Sequence, residues 1–110
     1  MMKDWYREAE KAVDYLRESE EEYARYRGLM KSISAREKIV LARLMRESPE
    51  NTAAGKKMWA EAHEDFEAAV DESQEIQQEC DLITARRERA YQVIEVYRSV
   101  NSSLKRGNIA

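Results

Sequence analysis

Ser48-Pro49-Glu50-Asn51-Thr52 holds the only proline of the chain. Proline disfavours helical backbone at the residue before it, and Ser, Asn and Thr side chains accept readily from the free amides that begin a new helix. On either side of this stretch the sequence can be walked in alternating steps of four and three, landing mostly on apolar residues. Upstream the walk meets Trp5, Ala9, Ala12, Leu16, Ser19, Tyr23, Tyr26, Met30, Ile33, Glu37, Val40 and Leu44. Downstream it meets Ala62, Phe66, Ala69, Ser73, Ile76, Cys80, Ile83, Arg87, Ala90, Ile94, Tyr97, Asn101 and Leu104. A repeat of about 3.5 residues is that of helices packed side by side.

The spacing predicts one helix over about 3–47, a turn over about 48–52 and a second helix over about 53–105. A kink near His63-Glu64-Asp65 would divide the second into a short helix at about 53–62 and a long one at about 64–105. Gly107 offers a C-terminal cap, and Asn108-Ile109-Ala110 is expected to fray. A short turn makes neighbouring helices antiparallel, so residues whose numbers add to about 106–110 should face each other. The expected fold is a single all-α domain, a long antiparallel helical hairpin of coiled-coil type.

Charge supports this pairing. Residues 1–24 carry 4 basic and 8 acidic groups, 25–46 carry 7 and 1, 47–81 carry 2 and 11, and 82–110 carry 6 and 2. Folding at residue 50 lays each acidic block along a basic one. An exposed pair contributes at most about 1 kcal/mol, but many pairs together penalise a parallel arrangement. The five polar positions on the seams (Ser19, Glu37, Ser73, Arg87 and Asn101) read as devices that restrict pairing. Ser19 is small enough to make room for Arg87, its expected neighbour. Gly28, in the middle of a helix, either allows close approach or is simply tolerated.

Composition narrows the function. The chain has 110 residues, with 37% charged and 43% hydrophobic. Its longest apolar run, Ile39-Val40-Leu41-Ala42, is far short of the roughly 20 residues a membrane helix needs. The first residues lack the apolar core of a signal peptide. The lone Cys80 fits a reducing compartment and reads as a small buried residue. His63 is the single histidine, and the Glu-x-x-His carboxylate motif fails because position 60 is alanine. No catalytic set, metal site or cofactor site is expected, and Gly55-Lys56-Lys57 lacks the spaced glycines of a phosphate loop. Trp5, Trp59, Tyr23, Tyr26 and Tyr97, at helical spacing, read as core rather than as stacking platforms for bases.

The seams do not use all the apolar residues. Tyr6, Val13, Tyr15, Leu29, Ile39, Leu41 and Met45 lie off the first, and Val70, Leu82, Tyr91, Val93, Val96 and Val100 off the second. Surplus apolar surface marks partner surfaces. The expectation is a homodimer of hairpins forming a four-helix bundle, with Tyr6, Val13, Tyr15, Tyr91, Val93, Val96 and Val100 as the interaction surface. A hairpin that binds a different protein, or a monomer closed by the 53–62 segment, would serve the same need. Arg86, Arg87, Arg89, Arg98, Lys105 and Arg106 provide an alternative, nucleic-acid-binding reading.

The stretch Ile94-Glu95-Val96-Tyr97-Arg98-Ser99-Val100-Asn101-Ser102-Ser103-Leu104-Lys105-Arg106-Gly107-Asn108-Ile109 resembles the ending of a group of small helical proteins of tailed bacteriophages and prophages. The layout of long charged helix, short break and second long helix is similar too. The resemblance implies a non-enzymatic accessory protein in the bacterial host cytoplasm, acting on a host or phage protein or assisting DNA recombination or replication. It supplies no catalytic residues.

Overall fold

The computed structural model describes residues 2–107, with side chains from Asp4 onward. The expected fraying of Asn108-Ile109-Ala110 lies outside the described residues. The protein is all-α: α1 is Met2–Glu18, α2 is Glu20–Glu47, α3 is Ala53–Glu61 and α4 is Glu64–Lys105. Among the described residues there is no strand.

The turn is built from local side-chain bonds. Ser48 Oγ accepts from the Glu50 amide at 3.1 Å. Thr52 has extended backbone and caps α3, its Oγ1 accepting from the Gly55 amide at 3.0 Å. Such a cap satisfies one of the orphan donors of a helix start. The second break falls at Ala62-His63, between α3 and α4. Here His63 caps α4: its Nδ1 accepts from the Asp65 amide at 3.0 Å, and its ring lies 5.2 Å from that of Trp59. At the far end of α4, Gly107 takes φ +71° and its amide donates to Leu104 O at 3.1 Å. That left-handed conformation suits glycine because it has no Cβ to clash.

The chain forms two compact units, Met1–Ala24 with Asp81–Ala110, and Arg25–Cys80. The limits of the units fall almost on the limits of the charge blocks, so each unit holds one acidic and one basic segment. In Arg25–Cys80 the helices run antiparallel: Arg36 donates to Glu72 from Nη1 and Nη2 at 3.0 and 3.1 Å, and Arg43 donates to Asp65 at 3.2 Å. Leu44 and Ala60 are completely buried. Enclosing a leucine side chain stabilises by about 1.5–3 kcal/mol. Ala60 shows that the short helix α3 contributes to this core.

Every residue of the first seam, Trp5 through Leu44, is buried or half-buried. So is the second seam from Phe66 to Leu104. The one departure is Ala62, which is exposed. It closes the C-terminus of α3, its amide donating to Met58 O. The break there resets the helical phase, and Ala60 takes the buried position instead. Gly28 is exposed, with nothing within 4 Å of where a Cβ would stand, so no close approach depends on it.

Candidate interaction surface

All the residues singled out for interaction lie in the unit formed by Met1–Ala24 and Asp81–Ala110. The unit is organised around one polar cluster. Arg87 Nη1 donates to Leu16 O at 2.8 Å and to Ser19 Oγ at 2.7 Å. Ser19 Oγ in turn donates to Tyr15 O at 2.7 Å. The guanidinium carbon stands 4.7 Å from the centroid of the Tyr23 ring. Ser19 and Arg87 therefore meet as their positions on the two seams require.

The same cluster explains a feature that the apolar walk does not reveal. The expected first helix is interrupted at one residue, Ser19, which separates α1 from α2. The backbone bonds Ser19 N–H to Tyr15 O and Tyr23 N–H to Ser19 O persist there, both at 2.9 Å. A serine bonding back to the carbonyl four residues earlier bends a helix. Here a guanidinium also draws on the neighbouring carbonyl of Leu16.

α1 runs antiparallel to α4 in this unit. Tyr6 meets Tyr97 edge to face with centroids 6.2 Å apart, while Ser19, further along α1, meets Arg87, further back along α4. Among the described residues no ion pair joins α1 to α4: Lys11–Glu8 and Arg98–Glu95 are both within one helix. Direct ion pairs between helices are found in the other unit, at Arg36–Glu72 and Arg43–Asp65.

Two grooves run along the opposite faces of the α1/α4 pair. The first, of about 290 Å³, is floored by Ala12, Tyr15, Ala90 and Val93 and rimmed by Glu8, Lys11, Arg86 and Arg89. The second, of about 350 Å³, is lined by Tyr6, Ala9, Val13 and Tyr97 with Glu10, Asp14 and Arg17 at its edge. The structure thus divides the proposed surface. Tyr15 and Val93 belong to one face. Helical spacing of 100° per residue puts Val96 and Val100 on that same face of α4. Tyr6 and Val13 belong to the other face, with Tyr91 on the matching side of α4. Tyr6, Val13, Tyr91 and Val96 are exposed, at 56, 42, 54 and 40%. Tyr15, Val93 and Val100 are half-buried.

The basic residues are dispersed. Arg86 and Arg89 share a groove, but Arg87 is committed to the interior cluster. Arg98 bonds Glu95 at 3.0 Å, and Lys105 and Arg106 are exposed at the end of α4 and beyond it. Spacing along α4 points Arg98 away from the Arg86 and Arg89 face. Cys80 is buried. Among the described residues no group of three or more His, Cys, Asp or Glu side chains is placed to hold a metal ion, and no helix is long and apolar enough to cross a membrane. The role of His63 as a helix cap is not evident from the sequence, since histidine is an uncommon cap. Its position one residue before the acidic start of α4 is the available signal.

No protein-family model, curated protein or solved structure matches this chain.

Proposed function

We propose that the chain is a non-enzymatic protein–protein interaction module that associates with itself through the unit containing its N- and C-terminal helices. One observation carries this reading. Of the seven large apolar side chains exposed among the described residues, five belong to that unit: Tyr6, Val13, Leu82, Tyr91 and Val96. These side chains lie on both faces of the α1/α4 pair, and exposed apolar surface concentrated in one unit supports docking there, whereas exposure scattered over a whole molecule is ordinary. The likeness of the C-terminal run to phage and prophage proteins gives the module a setting, as an accessory or inhibitory factor acting on a host or phage protein in the bacterial cytoplasm.

Sedimentation velocity at micromolar concentration tests the reading, and a species heavier than the 12.9 kDa chain is expected. A well-folded, strictly monomeric chain overturns it. Gel-shift titration with single- and double-stranded DNA separates it from the nucleic-acid reading. Binding that weakens steeply with salt and vanishes in the Arg86→Ala/Arg89→Ala variant would favour the latter, because phosphate contacts release counterions.

A further inference from the structure

The proposed self-association, on which this inference rests, acquires a face and an orientation from the charges of the terminal unit. On one face stand the residues that immediately precede seam positions: Glu8, Tyr15 and Glu22 on the N-terminal segment, and Arg86, Arg89 and Val93 on α4. Glu8, Tyr15 and Glu22 are seven residues apart and so form one stripe. The α4 edge of the face is therefore basic, while the other edge carries Glu8 beside Lys11 and, further along the stripe, Glu22, with an apolar floor between the two edges. Lys11 is held by Glu8 at 3.7 Å. Among the described residues, Glu22, Arg86 and Arg89 enter no ion pair within the chain.

We propose that a second copy of this chain covers this face about a two-fold axis parallel to the helices, so that α1 of each copy lies on α4 of the other. Such an axis preserves height along the helices. Each residue of the N-terminal segment then meets the part of the second copy's α4 with which it is level in its own chain. Those levels are fixed by Tyr6 beside Tyr97 and by Arg87 reaching Leu16, Ser19 and the Tyr23 ring. Glu22, next to Tyr23, stands level with Arg86, next to Arg87, so Glu22 of one copy faces Arg86 of the other. Tyr15 comes within reach of the second copy's Arg89, where a guanidinium lies favourably against an aromatic ring.

The other face-to-face arrangement, with the axis across the helices, stacks α4 on α4. With that axis crossing the groove near Tyr15 and Arg89, it brings the arginines of both copies together and sets Glu8 of one copy against Glu22 of the other. On the opposite face Glu10, Asp14 and Arg17 line α1, Glu88 lies on the matching side of α4, and Arg98 is already bonded to Glu95; the apolar floor there is the shorter one, Tyr6, Val13 and Tyr91 against Tyr15, Leu82, Val93, Val96 and Val100 on the first. A self-complementary patch is what a two-fold dimer requires, and like-charge juxtaposition selects against the crossed axis.

Charge reversal in trans is the test, read by sedimentation equilibrium at low salt. Glu22→Arg and Arg86→Glu should each raise the dimer Kd by roughly tenfold or more, since each reverses two symmetry-related pairs. An equimolar mixture of the two variants should return to within about threefold of the wild type, because each reversed charge then meets its opposite on the other copy. A mixture as weak as its components, or variants that dimerise like the wild type, overturns the proposal while leaving self-association intact. A monomeric wild type overturns both. If a variant fails to fold by circular dichroism, disulfide trapping replaces it: Tyr15→Cys and Arg89→Cys, each in a Cys80→Ala chain, should cross-link with each other and not with themselves. Self-cross-linking of either, or no cross-link in a dimeric mixture, refutes the arrangement.

Discussion

Replacing Arg87 with methionine removes the guanidinium and keeps most of the apolar stem. The charged group makes two hydrogen bonds from one nitrogen, at 2.8 and 2.7 Å, and one ring contact at 4.7 Å. A charge-assisted hydrogen bond typically contributes about 1.5–3 kcal/mol net. Because both bonds share Nη1 and the site is half-buried, about 2 kcal/mol is the sensible figure for the pair. The ring contact adds about 0.5–1 kcal/mol. Against this, methionine no longer has a charge to desolvate, which offsets about 1 kcal/mol. No donor is orphaned, since Ser19 Oγ still donates to Tyr15 O. Arg87→Met should therefore destabilise by about 1.5–2 kcal/mol, and Arg87→Ala by about 3 kcal/mol once the stem packing is also lost. For a chain of this length each kcal/mol lowers the Tm by about 4 °C. Urea unfolding in a Trp59→Phe background, followed by Trp5 fluorescence at one fixed protein concentration, reports on the terminal unit. Adding Ser19→Ala completes a double-mutant cycle, with an expected coupling of about 1 kcal/mol. Coupling within about 0.3 kcal/mol of zero would show that the Arg87–Ser19 bond contributes nothing, and the reasoning about the polar cluster would fail.

Three further outcomes are expected. Leu44→Ala, at a completely buried site, should cost about 3 kcal/mol in chemical denaturation, and a cost under about 1 kcal/mol would mean that Arg25–Cys80 has no fixed core. Gly28→Ala should stabilise by about 0.5–1 kcal/mol, as helix propensity dictates where space is open, whereas Gly55→Ala should gain nothing, since its Cβ would stand 2.9 Å from Thr52 Oγ1 and 3.2 Å from Glu50 Cβ. Equal gains at the two glycines in thermal melts would contradict this. Arg36→Ala should cost less than about 1 kcal/mol at low salt and almost nothing at 1 M NaCl, because Arg36 and Glu72 are 52 and 50% exposed. A salt-independent loss would point to packing rather than charge.

The seams were legible because a 3.5-residue period leaves little choice of which side chains meet. Trp5 through Leu44 and Phe66 through Leu104 are where the spacing puts them. The partnership of Ser19 with Arg87 was legible for the same reason: a small polar residue and a long one at matching heights. The interruption at Ser19 was not, because it arises from bonds made in three dimensions by a residue 68 positions away. Ala62 was misplaced because a periodic walk cannot sense that a break shifts the phase of the next helix. The surplus of apolar side chains was visible, but its division into two faces was not. Tyr6 and Tyr15 are equally off the seam along the chain, and only the direction of the partner helix sorts them.

An embedded guanidinium has a further effect on how the chain finds its fold. Slipping the terminal helices past one another by seven residues would keep nearly every apolar side chain buried, so hydrophobic collapse alone tolerates the error. It would also leave Arg87 beside Ala12, which has no side-chain acceptor, or beside Tyr26, whose hydroxyl stands at the far end of a ring and not close to the backbone as Ser19 Oγ does. Either shifted register gives up the Leu16 carbonyl and Ser19 hydroxyl that receive the guanidinium in the native pairing, and so stands above it in free energy. One polar pair in an otherwise repetitive interface thus singles out one register among several that apolar burial alone would accept.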